Sequence, residues 1–266
     1  MFILKKTPQL ILDPTKALAL VGVVEYAIGD GIKENKIGHK TGNGTRNTIW
    51  DIMYTGFIDT LTPIGYVSAI TVRSKLWELV SFFDPETGLL YHAQREARHK
   101  ELQRSWSKGR ERSNYAYCST FWFNHGLPAQ MPQLSLSDCS FNDYDTTLTT
   151  SELEKISKTA NQILSDLKID ENSVKGHVFI LFESVTHMLK TIRAVIYNEK
   201  MQLVSEKSLN EYITAPESVI VDSASDYSDA ANNPGHGLEF TADALKRKGR
   251  QLEASLSDSC DEDDIS

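Results

Sequence analysis

The stretch WELVSFFDPETGLLYHAQ, residues 77–94, decides the fold class. Aromatic and β-branched residues cluster on both sides of its centre, Asp84-Pro85-Glu86-Thr87-Gly88. That centre is turn chemistry, because proline presets φ and glycine accepts positive φ. Residues 77–83 and 89–94 therefore read as two strands of an antiparallel hairpin. Upstream, residues 66–73 supply a third strand, and downstream 89–94 runs into a charged helix over 96–108. Residues 177–183, 192–198 and 201–206 read as strands, the last two as a hairpin around Asn198-Glu199-Lys200, with a short helix ending near Ile213.

Helices flank these hairpins. Asp13-Pro14 opens the first, the carboxylate capping and the proline ring taking the first helical position. The apolar run 18–28 fills it and Gly29-Asp30-Gly31 ends it. Residues 2–12 read as a short edge strand and 29–46 as a loop holding five glycines. Asn47 is placed to cap a second helix reaching Leu61, with Ile49, Trp50, Met53, Phe57 and Ile58 at helical spacing. Residues 114–127 are aromatic-rich and fit helix or strand, and 128–149 are a polar connection. Ser151-x-x-Glu154 has the spacing of a capping box, opening a helix with Leu153, Ile156, Ala160, Ile163, Leu164 and Leu167 on one stripe. The expected fold is α+β, antiparallel hairpins packed with helices and no alternating βαβ pattern, followed by a disordered acidic C-terminal tail.

Charge separates that tail from the body. Residues 1–215 carry 24 basic and 24 acidic side chains, and residues 216–266 carry 4 basic against 12 acidic ones, so the formal charge of −8 belongs to the tail. The expected division is a globular body over 1–215, with an alternative split into subdomains 1–128 and 150–215, and a largely disordered tail with an amphipathic helix near 239–257. At 40% hydrophobic and 24% charged the composition is that of an ordinary globular protein. No apolar run reaches the roughly 18 residues of a membrane span. Met-Phe-Ile-Leu precedes Lys5-Lys6, the reverse of a secretory signal. Cys118, Cys139 and Cys260 lack a Cys-x-x-Cys spacing, and a reducing cytoplasm is the expected location.

Three segments together resemble a family of uncharacterised bacterial proteins, a domain of unknown function: 42–47 leading into Trp50-Asp51, residues 88–104, and 177–183. The similarity spans about residues 40–215. It implies a bacterial or phage source and carries over no activity.

Two stretches remain as candidate binding sites. Around Gly38-His39-Lys40-Thr41 a phosphate-binding loop fails, because His39 separates the glycine from the lysine, and Gly42-x-Gly44 lacks the third glycine of a dinucleotide fingerprint. What survives is an anion-binding loop of Gly42, Gly44 and Arg46 at a helix N-terminus, set against a plain connecting loop. The second stretch, 91–112, holds seven Lys or Arg and three Glu, a balance of +4. At 100° per residue, Leu102 and Trp106 share a core-facing stripe while Lys100, Arg104 and Lys108 face solvent, extended by Arg110 and Arg112. Such a stripe suits a phosphate backbone. Glu96 four residues before Lys100 and Glu101 three before Arg104 also fit an ordinary solvated helix.

Catalytic signatures are not evident. Glu96-x-x-His99 has no second copy, there is no His-Glu-x-x-His or Gly-x-Ser-x-Gly, and Asp84 lacks the Glu-x-Lys that a metal nuclease needs on the next strand. The expectation is a protein without metal or cofactor that binds nucleic acid or another polyanion through the basic helix, modulated by the acidic tail. The alternative is a protein–protein module of a defence or counter-defence complex engaging a protein partner through the 239–257 helix. A divergent metal-dependent nuclease stands third.

Overall fold

The computed structural model describes residues 7–36, 45–73, 77–107, 114–130 and 148–214. Contacts divide the chain after Ala215, and every described residue lies in the first unit, Met1–Ala215. The tail and its expected 239–257 helix lie outside the described residues.

Helix α1 (Pro14–Ile28) begins where Asp13 accepts from the backbone N–H groups of Thr15 and Lys16, and Gly29 caps its end. Residues 29–46 are not simply a loop: α2 (Asp30–Lys36) follows at once. The glycines misled because three local contacts outweigh them. Ile32 is buried, Lys33 pairs with Asp30 at 3.1 Å, and Tyr26 donates to Glu34 at 2.6 Å. Helix α3 (Thr45–Leu61) starts two residues ahead of Asn47 and buries Ile49, Met53, Phe57 and Leu61. It crosses α1 so closely at Gly56 that a Cβ there would lie 2.8 Å from Val23 Cγ1. Residues 7–13 form no strand; they reach the sheet by other means, Lys207 Nζ donating to the Leu12 carbonyl at 3.2 Å.

The sheet runs in the order β1 (Val67–Arg73), β2 (Trp77–Asp84), β3 (Leu89–Arg95), β4 (Gly176–Val185), β5 (Met188–Tyr197), β6 (Leu203–Ser208). Neighbours are antiparallel except β3 and β4, which pair in parallel from Leu89–Gly176 to Arg95–Phe182. A parallel pair needs a long crossover. Here it contains α4 (Glu96–Ser107), α5 (Tyr115–Phe123), which settles the ambiguous 114–127 stretch as helix, and α6 (Thr150–Leu167). The pairing also puts residues before and after the polar connection into one sheet.

Alternation sorts the strands into two faces. Val80, Phe82, Tyr91, Ala93, Val178, Ile180, Ile192 and Ala194 pack with α1 and α3. On the opposite face Phe83 and Leu90 meet α6, Phe179, Leu181 and Val195 meet Ala116 of α5, and Leu102 and Trp106 of α4 meet Tyr117. The result is an α+β fold of three layers, helices on both sides of a six-stranded mixed sheet. The β2–β3 ladder is short, with pairs only from Phe82–Tyr91 to Asp84–Leu89. Beyond the third pair those two strands are joined by side chains.

The capping box of α6 is displaced from the expected one. Thr149 and Glu152 close it: Glu152 Oε2 accepts from the Thr149 N–H at 2.8 Å and Thr149 Oγ1 accepts from the Glu152 N–H at 3.3 Å. Ser151-x-x-Glu154 shares the pattern but lies inside the first turn, and Leu153, expected on the apolar stripe, is exposed there. Thr149→Ala should lower stability by about 1 kcal/mol and Ser151→Ala by less than about 0.5 kcal/mol in urea denaturation. The reverse order would contradict this assignment.

Candidate functional site

Alternation on β2, β3 and β4 should fill the α5-facing side with apolar residues, yet at its centre it places Ser81, His92 and His177, all 0% exposed. A buried polar group is tolerated only when hydrogen-bonded, and these are joined in a line. Ser81 Oγ lies 2.8 Å from His92 Nε2, His92 Nδ1 lies 2.7 Å from His177 Nε2, and His177 Nδ1 lies 2.9 Å from Thr120 Oγ1. Thr120 in turn donates to the Ala116 carbonyl at 2.9 Å.

That last bond gives the line one self-consistent direction of protons. With the Thr120 hydroxyl hydrogen on the Ala116 carbonyl, His177 donates from Nδ1 and accepts at Nε2. His92 then donates from Nδ1 and accepts at Nε2 from the Ser81 hydroxyl. In that direction both rings are neutral with the proton on Nδ1. Burial holds His92 down to about 3 and, with the neighbouring His92 and His99, pushes His177 well below the ordinary imidazole range.

Asn124, the C-cap of α5, completes the attachment. Its Nδ2 donates to the carbonyls of His177 (2.8 Å) and Tyr197 (2.7 Å), and its Oδ1 accepts from the His177 N–H (2.6 Å). Close by, His99 lies 4.9 Å from the Tyr197 ring and 4.8 Å from Phe179, with Nδ1 3.3 Å from Gln94 Oε1. Burial holds His99 down to about 4.

Ser81–His92–His177 reproduces the connectivity of a nucleophile, base and orienting group. All three are sealed from solvent, and the line ends on a backbone carbonyl. Its chemistry in this state is that of a clamp joining β2, β3, β4 and α5. Sequence reasoning missed it because His92 and His177 are 85 residues apart. The available signal was a polar residue at a core position in each of three otherwise apolar strands.

The basic helix is placed as its periodicity predicts: Leu102 and Trp106 are buried, Lys100 and Arg104 exposed. Its first turn is pinned by ions. Arg193 contacts Glu96 at 2.7 Å and Glu206 at 2.9 Å, and Lys100 reaches the same Glu96 at 3.3 Å. Arg98 pairs with Glu101 at 3.1 Å. Lys108, Arg110, Arg112, Gly42 and Gly44 lie outside the described residues; Arg46 falls in the first turn of α3, with its side chain likewise outside.

Asp84, the acid a metal nuclease would use, instead meets an internal cation. Lys16 Nζ sits 3.0 Å from Asp84 Oδ1 and 2.9 Å from Glu86 Oε2, above the Tyr66 ring at 5.3 Å. Among the described residues no three of His, Cys, Asp and Glu gather as metal ligands, and no helix is long and apolar enough to cross a membrane. An open groove of ≈ 830 Å³ runs along α6 past Trp122, Leu153, Ser157 and Asn161, lined by no residue of the histidine line.

The chain belongs to a family of unknown function, DUF5986, whose model matches residues 15–257. The match extends on both sides of the 40–215 span that the three sequence segments indicated and takes in much of the acidic stretch. No curated protein and no solved structure matches the chain.

The histidines make stability pH-dependent. Unfolded imidazoles titrate near 6.5, whereas folded His99 and His92 resist protonation until about 4 and 3. Below 6.5 the unfolded chain therefore binds more protons, so the stabilisation is complete at neutral pH and is lost as pH falls. With His177 included, the loss should approach about 4 kcal/mol per pH unit between roughly pH 6 and 5. Urea midpoints at pH 7.5, 6 and 5 check it, and a flat profile would contradict it. Asn124→Ala should cost about 3 kcal/mol or more at neutral pH in the same assay, since it leaves buried backbone groups of β4 and β5 without partners.

Proposed function

We propose that the protein is a non-catalytic binding protein whose α4 face contacts nucleic acid or another polyanion. The observation that carries this reading is the exposed pair Lys100 and Arg104, one turn apart on a helix whose other face is fixed by Leu102 and Trp106. A rigid helix presenting cations at regular spacing suits a phosphate backbone, and Lys108, Arg110 and Arg112 continue the basic sequence. Glu96 competes locally for Lys100, and Glu101 is engaged by Arg98. The acidic 216–266 stretch, tethered to the same chain, adds a second competitor of like charge to a phosphate backbone. A cytoplasmic setting belongs to the same reading, supported by three cysteines without metal-site spacing.

A protein-interaction role is the second reading, favoured by one feature of β1. This edge strand exposes Ile70 and Val72, and Arg73 is the one charged residue in its sequence, whereas edge strands are commonly protected by charge.

Fluorescence anisotropy with a labelled 30-nucleotide duplex at about 20 mM salt separates the two. The full chain should bind, a chain ending at Ala215 should bind more tightly, and Lys100→Ala with Arg104→Ala should reduce the salt slope by about two. If neither the full nor the shortened chain binds, the polyanion reading fails.

A further inference from the structure

The histidine line lies where the sheet is weakest. The β2–β3 ladder stops at Phe82–Tyr91, and the next connection between these strands is the Ser81–His92 side-chain bond. Thr120 and Asn124 then carry the attachment into α5.

The line has a limited capacity for protons. One proton can be absorbed by reversing it: His177 donates from both nitrogens, to Thr120 and to His92 Nδ1, and His92 donates from Nε2 to a rotated Ser81 hydroxyl. A second would set N–H against N–H across 2.7 Å. Even the first charge is poorly compensated. The groups against the pair are Ser81 from β2, Phe179 from β4, Tyr115 and Thr120 from α5, and His99 from α4, itself ringed by Gln94, Tyr117 and Tyr197. Arg193 of β5 is engaged by Glu96 and Glu206, and Asp166 of α6 accepts from Gln162. Among the described hydrogen bonds no carboxylate touches either imidazole. Among the described residues the buried histidines are His92, His99 and His177, all on the α5 side, whereas α1 is tied to the sheet by apolar packing and by Lys16 to Asp84 and Glu86.

We propose that the His92–His177 pair is an acid-operated latch: its protonation releases α5 from the sheet and parts β2 from β3, while α1 and α3 remain seated. Mild acid would thereby convert the sealed face into an exposed one bearing Ser81, His92, His177 and the aromatic rings of α5. The latch is independent of any role of the α4 cations.

Hydrogen–deuterium exchange of the full chain at pH 7.0 and 5.0, corrected for intrinsic exchange rates, tests it. On going to pH 5.0, protection in residues 115–123 should fall at least tenfold more than protection in 14–28 and 47–61. Equal loss in both layers, or no loss in 115–123, would overturn the proposal. A His92→Gln, His177→Gln double variant should lose at least tenfold less protection in 115–123 between the two pH values than the wild type; an equal acid-dependent loss in the folded variant would also overturn it. Should that variant fail to fold, the wild-type comparison between layers decides alone.

Discussion

A neutral imidazole can donate one hydrogen bond and accept one, and His92 and His177 each do both in the interior of the sheet. Their four ring nitrogens are committed to Ser81, to each other and to Thr120. Much of the α5 layer depends on this economy. Through it β2 is tied to β3 beyond the end of their ladder, and β4 is tied to α5. Asn124 adds backbone bonds to β4 and β5, so one short helix is held to two strands by side chains of two adjacent turns. Apolar packing on the same face, with Phe179 and Val195 against Ala116, supplies attraction without direction. The polar line supplies the direction.

The parallel β3–β4 pair explains why such a fastening is placed here. A parallel joint requires the chain to leave the sheet and return, and the return path contains α4, α5 and α6. Those helices cover the crossover face, where α4 is fixed at its start by Glu96 to Arg193 of β5 and α5 by the histidine line. The α1–α3 face is closed by apolar contact, including the close crossing at Gly56 and Val23. One layer is thus closed by apolar contact and the Lys16–Asp84–Glu86 ion cluster, and the other is secured by buried imidazoles.

Local features were legible in the sequence because their causes are local. The Asp13-Pro14 start, the 84–88 turn and the amphipathic stripes of α4 and α6 each follow from residues a few positions apart. The errors were also local: two glycines outweighed Ile32 in the reading of α2, and two overlapping S/T-x-x-E patterns placed the α6 box two residues late. What could not be read was non-local. Nothing near Leu89 indicates that it pairs with Gly176, and nothing near His92 indicates that its partner is His177. The exposed cations Lys100 and Arg104 were legible for the converse reason, since their placement depends only on where Leu102 and Trp106 point.

The central claim is that a single proton pattern runs from Ser81 to Thr120. Long-range ¹H–¹⁵N correlation spectra of the histidine side chains at pH 7 test it most directly. His92 and His177 should both be neutral with the proton on Nδ1 and a bare Nε2. A proton on Nε2 of either ring, or an imidazolium at either position, would contradict the account.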